Sequence, residues 1–311
     1  MKKILLSIIV ILSLPVISAA QGDLGSTFVG ARPMGMGGAF VGLSDDTSSV
    51  FVNPAGLAQI DKLSITSMSG SFLEMVDYKM FSGAIPVGGA ILGAGVITSK
   101  SQAGYRTEFS GSDVIVGDAI SYYENIYVIS LGIPMDKRFS VGVSGKLHDK
   151  GFTGEDGERA SSFAVDAGLL IKLSDTYSLG LAFGNIAQSK FQWESGYEEN
   201  SEAQVKIGLA TDIFNNKRFV LCIDSENTPG SQKPSLTKLG AEYRPFDIIA
   251  LRAGIEQDSI ADEENGSKVA SNLTGGVGLY WEGFGFDYAY RSNSDQPEAS
   301  TQFFSISYRF R

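Results

Sequence analysis

Few residues in this 311-residue chain could do covalent chemistry, since it holds one histidine, His148, and one cysteine, Cys222. A catalytic triad needs a base held against a nucleophile, and a metal site needs several ligands. Single residues supply neither. His148 follows Lys146 by two positions and reads as a polar residue near a strand end. Cys222 alternates with Arg218, Val220 and Asp224 and reads as a small inward-facing residue. The run MGMGGAFVG follows no strand and has the wrong glycine spacing for a dinucleotide fingerprint. The sequence therefore predicts no enzyme, no cofactor and no metal. The chemistry that remains is electrostatic. Asp45 and Asp46 are adjacent carboxylates. Lys146, Lys206, Glu242, Arg252 and Glu256 each alternate with apolar neighbours. Such charges on one face of a sheet form either a structural network or an ion filter, and the sign mixture favours the network. Asp45 and Asp46 are expected to pair with Lys146, Lys206 or Arg252.

The elements that carry these charges are strands. From residue 62 onward, segments of about ten residues alternate apolar with small or polar side chains, the period of a β-strand. In FGFDYAYR, Phe284, Phe286, Tyr288 and Tyr290 oppose Gly285, Asp287, Ala289 and Arg291. In VKIGLATDI, Val205, Ile207 and Leu209 oppose Lys206 and Gly208. The charges share a face with the glycines, and the opposite face is apolar or aromatic. A soluble sandwich also alternates, but three features favour a transmembrane barrel. Short turns (86–89, 134–138, 173–177, 214–218, 245–247, 281–284) alternate with long polar loops (99–121, 149–160, 185–201, 225–235, 258–271, 291–300). Aromatics such as Tyr243, Trp281, Tyr288 and Tyr308 recur near strand ends. The chain closes on an aromatic strand, FFSISYRFR, resembling the signal read by the barrel-assembly machinery, with Arg311 one residue beyond the usual terminal aromatic. The prediction is an all-β, antiparallel barrel of about fourteen strands, at 62–72, 77–86, 89–99, 123–133, 139–148, 161–173, 177–185, 203–213, 218–225, 235–244, 248–257, 271–281, 284–291 and 301–310.

The front of the chain is different. Lys2 and Lys3 precede an apolar run and Ser18-Ala19-Ala20, which predicts a secretory signal peptide over 1–20. Residues 21–61 then read as a hatch or plug before a barrel over 62–311. Glycine is abundant, 37 in all. Inward glycines would leave room for such a plug, or would mark strand bends; the pattern alone leaves both open. Within GARPMGMGGAFVGLSDDTSSVFVNPAGLA, the residues Gly30-Ala31-Arg32, Met34-Gly35-Met36-Gly37-Gly38-Ala39, Asp45-Asp46 and Asn53-Pro54-Ala55-Gly56 resemble the N-terminal signature of the FadL-like outer-membrane proteins, and within them the PorV/PorQ group. The resemblance implies a fourteen-stranded barrel with an N-terminal hatch in its lumen, residing in the outer membrane of a Gram-negative-type bacterium. Gly30, Arg32, Met34, Gly35, Met36, Gly37, Gly38, Asp45, Asp46, Asn53, Pro54, Ala55 and Gly56 would then be hatch or gating residues.

The same resemblance implies transport of small hydrophobic molecules. Apolar residues in otherwise polar loops, Phe109, Phe191 and Trp193 among them, are the ligand-contact candidates. A second reading is a PorV-like docking scaffold that holds secreted cargo proteins for a type IX-like secretion system, and a third is a structural surface protein. The expected surroundings are outer-membrane lipid and lipopolysaccharide. The acidic clusters at 194–202 and 258–264 read first as solvated loops, with divalent-cation bridging to lipopolysaccharide or docking of a basic partner as the sharper reading. A formal net charge of −10 argues against nucleic acid. No interface signal is visible, so a monomer is expected.

Overall fold

The computed structural model describes residues 29–311 apart from 73–75, 111–112, 155–156, 217, 231–233, 263–265, 295–296 and 298–299. The predicted signal peptide and residues 21–28 lie outside the described residues. The strands are β1 (Ser64–Phe72), β2 (Val76–Val87), β3 (Ala90–Ser110), β4 (Asp113–Pro134), β5 (Phe139–Phe152), β6 (Arg159–Lys172), β7 (Tyr177–Gln188), β8 (Phe191–Trp193), β9 (Glu198–Glu199), β10 (Gln204–Asp212), β11 (Phe219–Asn227), β12 (Leu236–Phe246), β13 (Ile249–Asp262), β14 (Gly266–Trp281), β15 (Phe284–Arg291) and β16 (Thr301–Arg309). Fourteen of them form a closed antiparallel barrel. β1 pairs with β16 to close it, Thr66 opposite Ser307. The short β8 and β9 form a small hairpin that adds to the edge of β6.

Closure is what makes the fold usable in lipid. Pairing of β1 with β16 lets the wall strands satisfy their backbone groups with neighbours all round the ring, apart from a few bulges. The outer face is apolar: Ile129, Leu273, Phe286, Phe304 and Ile306 are more than half or about half exposed there. The inner face carries the buried charges and glycines. No helix among the described residues is long and apolar enough to cross a membrane; the strands do the crossing. Trp281, Phe246 and Phe214 project at the short-turn end, where amphipathic rings suit a membrane–water boundary.

One expectation is overturned. Residues 99–121 and 258–271 are strand for most of their length, and 149–160 for half of it. The β3–β4 ladder runs out to Ser110 opposite Asp113. β5–β6 runs to Gly151 opposite Arg159, and β13–β14 to Asp262 opposite Gly266. Beyond the bilayer both faces of a hairpin meet water, so the apolar/polar alternation disappears while the backbone pairing continues. A period-two search therefore stops at the membrane surface. Within 185–201 the chain likewise contains β8 and β9.

Residues 29–61 lie inside the barrel wall. They form α1 (Ala31–Gly35), α2 (Ser49–Val52) and a 3-10 helix over Pro54–Gln59. After α1 the chain reverses through Gly37 and Gly38, with φ of 64° and 72°, angles that cost a side-chain-bearing residue strain. The 3-10 helix starts at Pro54, whose fixed φ suits that position. Asn53 caps it by accepting from the Ala55 backbone N–H at 3.2 Å. Asn53 also donates to the carbonyls of Val41 at 3.1 Å and Leu169 at 3.2 Å, tying this corner to β6.

Candidate functional site

The inner wall is built in three parts around the N-terminal segment. The first is an arc of glycines. Gly132, Gly142 and Gly168 are cross-strand neighbours on β4, β5 and β6. A methyl group on Gly132 would stand 2.7 Å from Leu57 Cβ. One on Gly142 would overlap the Pro54 carbonyl and the Ala55 nitrogen, and one on Gly168 the Asn53 side chain. The same holds at Gly180 and Gly208 against Val41 and Gly42, and at Gly240 and Gly254 against Met36 and Gly37. These glycines let the segment's backbone touch the strands directly. At these positions the space beside each glycine is taken up by the segment.

The second part is ionic. Arg32 donates to Asp45 at 2.6 Å, to Asp46 at 2.9 Å and to Glu242 of β12 at 2.9 Å. Glu242 also takes Arg252 Nε at 2.7 Å and Arg244 at 3.0 Å. Arg252 continues to Asp287 at 2.8 Å and to the Tyr280 hydroxyl at 2.5 Å. The expected partners of Asp45 and Asp46 are thus corrected. They pair with Arg32 of their own segment, not with Lys146, Lys206 or Arg252. The lumen cations are already taken by carboxylates one or two strands away: Lys146 by Asp166 at 2.9 Å, Lys206 by Glu226 at 3.6 Å, and Arg252 by Glu242 and Asp287. Glu256 is held by Arg291 at 2.5 Å and by Lys238 at 3.8 Å.

Asp224 has a separate task. Its carboxylate accepts from the backbone N–H groups of Phe40 at 2.6 Å and Val41 at 2.8 Å, so β11 grips the segment's main chain. Met34 and Met36 are fully buried, and Gly35 packs against Gly276 and Arg252. Gly30 precedes α1 with a φ of 127°, and Gly56 packs on Ser44. Cys222 is buried beside Met36 and Ala39.

Magnitudes separate the roles of these contacts. Burying one large apolar side chain contributes roughly 1.5–3 kcal/mol. Met34, Val50 and Leu57 are buried, and Phe51 nearly so, against Met68, Met80, Ile97 and Ile126. A buried ion network roughly breaks even against its desolvation cost. Apolar packing therefore holds the segment in, and the ion network fixes where it sits. Burial pushes the Asp46 carboxyl up from its usual range, outweighing the pull of Arg32. Burial alone would lower Arg32, but Asp45, Glu242 and Asp46 raise it well above its ordinary value. A raised carboxyl pKa in the folded state means that proton uptake by Asp46 favours the seated segment, and that this contribution is lost as pH rises through the folded pKa. Asp46→Asn is expected to remove that part of the pH dependence, read as protease resistance of residues 30–57 from acidic to neutral pH. An unchanged profile would show that another group titrates.

The third part is an apolar row. Met68, Met80, Ile97 and Ile126 are successive cross-strand neighbours on β1 to β4, all buried. The row continues to His148 of β5. His148 meets the Phe191 ring edge-on at 5.8 Å between centroids. Above it, at the long-loop end, Trp193 stacks on Phe152 at 6.3 Å and Phe152 leans on Tyr122 at 5.3 Å. Lys150 sits 3.9 Å from the Phe191 ring centroid and donates to both Glu199 oxygens at 2.8 Å. Phe191 and Trp193 thus come together, on β8, while the side chain of Phe109 lies outside the described residues. Tyr122, Phe152, Lys150, Glu199, Asp224 and Tyr280 were not singled out in the sequence. The inward parity of 122, 148, 150 and 152 with the glycine-bearing face was the available signal. At the short-turn end a vestibule of about 1290 Å³ opens beneath the segment, bordered by Arg32, Asp61, Arg138, Asp212 and Arg309.

A closed fourteen-stranded wall, apolar outside and charged within, is an outer-membrane β-barrel. No protein-family model matches the sequence, and no curated protein matches it. Solved structures do match. The Ralstonia pickettii toluene transporter TbuX aligns with a TM-score of 0.66 at 14% identity, covering 93% of this chain and 100% of that one. The Pseudomonas putida toluene transporter TodX aligns at 0.67 and 13% identity, covering 92% and 99%. A Pseudomonas aeruginosa FadL homologue aligns at 0.61 and 13% identity, covering 95% and 100%. The chain therefore shares the fold of these solved structures.

Proposed function

We propose that this protein admits small hydrophobic molecules across the outer membrane. One observation carries the reading. Ring contacts and strand register join Tyr122, Phe152 and Trp193 at the long-loop mouth to Phe191 and His148, and then to the buried row Ile126, Ile97, Met80 and Met68. A transporter of apolar molecules needs such an unbroken path from loops to segment; a docking scaffold does not. The aromatic end is partly exposed and would collect ligand, and the buried row would hold it against Phe51 and Val50. Residues 30–57 would act as the hatch. The toluene transporters TbuX and TodX, which share the fold, agree with this class of cargo.

The test is uptake of toluene into proteoliposomes. Phe152→Ala and Trp193→Ala are each expected to lower initial uptake at limiting toluene by roughly tenfold, the effect of about 1.4 kcal/mol of lost binding. Uptake equal to that of the unaltered protein would remove the path from the mechanism. The PorV-like alternative rests on a different observation: the segment is gripped by glycines, by Asp224 and by Arg32, as a permanent seal would be. Purification in mild detergent with mass spectrometry separates the two. A co-purified apolar small molecule favours uptake, and a stoichiometric secreted protein favours the scaffold.

A further inference from the structure

The aromatic mouth holds one buried cation, Lys150 of β5. A lone ammonium beside a route for apolar molecules would draw anions to it, and the surrounding residues are arranged against that. The register of β5, β6 and β8 places Lys150, Ala160 and Trp193 in one cross-strand row. Ala160 is small, so the lysine side chain can cross it to the rings beyond. The ammonium stands 3.9 Å from the Phe191 ring centroid and 5.7 Å from that of Trp193, within the range over which a ring attracts a cation. Glu199 faces Phe191 across the β8–β9 hairpin, and both its carboxylate oxygens accept from Lys150 at 2.8 Å. One hairpin therefore brings a ring and a carboxylate to the same ammonium. The Lys150 side chain is 10% exposed and that of Glu199 39%, so the cation is covered and its cover faces outward. Glu194 and Glu198 of the same hairpin add negative charge, offset in part by Lys190 on Glu198.

We propose that Glu199 sets the charge selectivity of this mouth: by occupying Lys150 it turns a ready-made carboxylate site into a neutral one, so that uncharged aromatic molecules are taken and aromatic acids are refused. The inference rests on the uptake reading above and names its substrate class. An ammonium has donors on three sides. Two bonds go to Glu199, and Phe191 lies against the same group, so an incoming carboxylate must displace Glu199. That residue is tethered in place, and a tethered group competes at an effective concentration on the order of millimolar or above. A dilute aromatic acid loses that contest and also meets the charges of Glu194 and Glu198. An uncharged ring enters no such contest. It packs on Phe152 and Trp193, whose side chains are partly exposed, and leaves the ion pair closed.

The test separates charge from shape. Benzyl alcohol and benzoate share a ring and differ little in size, but only benzoate is charged at mildly alkaline pH. Trp281→Phe leaves Trp193 as the one tryptophan of the full chain, and its fluorescence in detergent reports binding of either compound beside Lys150. This parent is expected to bind benzyl alcohol at least about tenfold more tightly than benzoate. Glu199→Gln keeps the shape and removes the charge. It should raise the affinity for benzoate relative to benzyl alcohol at least about tenfold, as a charge-assisted bond to the freed ammonium would. Adding Lys150→Met should abolish that gain. A collapsed hairpin would weaken both compounds together, so an unaltered ratio in Glu199→Gln would overturn the proposal, as would a benzoate gain that survives Lys150→Met. If benzyl alcohol does not bind the parent, the uptake reading fails instead. Benzoate then decides alone: tightening by Glu199→Gln that Lys150→Met removes supports the charge selection, and no tightening overturns it.

Discussion

Arg32→Ala is expected to unseat the N-terminal segment while leaving the barrel intact. The substitution strips Asp45, Asp46 and Glu242 of a shared cation, and all three carboxylates are wholly or largely withdrawn from water. Removing one partner of a buried pair costs about 3–5 kcal/mol, because the charge left behind has neither water nor a counter-ion. Arg244 and Arg252 still neutralise Glu242, so most of the loss falls on the segment's own Asp45 and Asp46. The readouts are rapid proteolysis inside residues 30–57 and a raised conductance in planar bilayers, with deletion of 30–57 marking the fully open limit. Arg218→Ala, which breaks a half-exposed contact to Asp247 at 3.5 Å, is expected to change neither, since such pairs contribute about 0–1 kcal/mol. If Arg32→Ala remained closed and resistant, the ion network would be ornamental and packing alone would set the position. The double variant Arg32→Met/Asp45→Asn should recover part of the loss by removing one stranded charge.

Gly142→Val is expected to have a comparable effect by another cause. Valine favours a strand, so the wall gains rather than suffers. Its first side-chain carbon would overlap the Pro54 carbonyl and the Ala55 nitrogen, which are backbone atoms with no freedom to rotate away. The 3-10 helix must lift, withdrawing Leu57 and Phe51 from their packing at roughly 1.5–3 kcal/mol each. Proteolysis and conductance should again move toward the deletion limit. The control lies three residues along the same strand. A methyl on Gly145 would meet only the Phe163 ring, at 3.7 Å, an ordinary contact on the outer face. Gly145→Val should therefore stay closed. Equal behaviour of the two variants would mean that strand distortion, not exclusion of the segment, explains the result.

The wall was legible in the sequence because a lipid-facing strand must alternate. β15 is the clearest case, with Phe284, Phe286 and Tyr290 outside and Gly285, Asp287, Ala289 and Arg291 buried. The legibility ended where the lipid ends, and the outer parts of β3, β4, β13 and β14 read as loops for that reason. The site was legible only in part. Residues 30–56 stood out by composition, and the inward charges could be named, but their partners could not. Choosing Arg32 for Asp45 requires knowing that Lys146 and Lys206 are already satisfied by Asp166 and Glu226, and that follows from register. The aromatic path was harder. Phe152 and Tyr122 are opposed across β4 and β5, while Trp193 joins them from a hairpin of a few residues that carries no alternation to detect. Asp224 looked like one more strand carboxylate, and its grip on the Phe40 and Val41 amides has no sequence counterpart.

The joining of β1 to β16 also constrains how the molecule is made. The Ala31 N–H and the Ser305 hydroxyl are 274 residues apart, and the pair Asp61–Arg309 is 248 apart. Contacts of that separation form last, since the chain between them must first be ordered. The N-terminal segment touches strands from β1 to β16, so once β1 and β16 have zipped, it can enter only by threading through a finished ring. Residues 29–61 precede β1 in the chain, so they are synthesised before the strands that surround them. The segment then serves as a mandrel: strands arriving in order are wound around a core that already has the right girth, and the glycines mark where wall and mandrel touch.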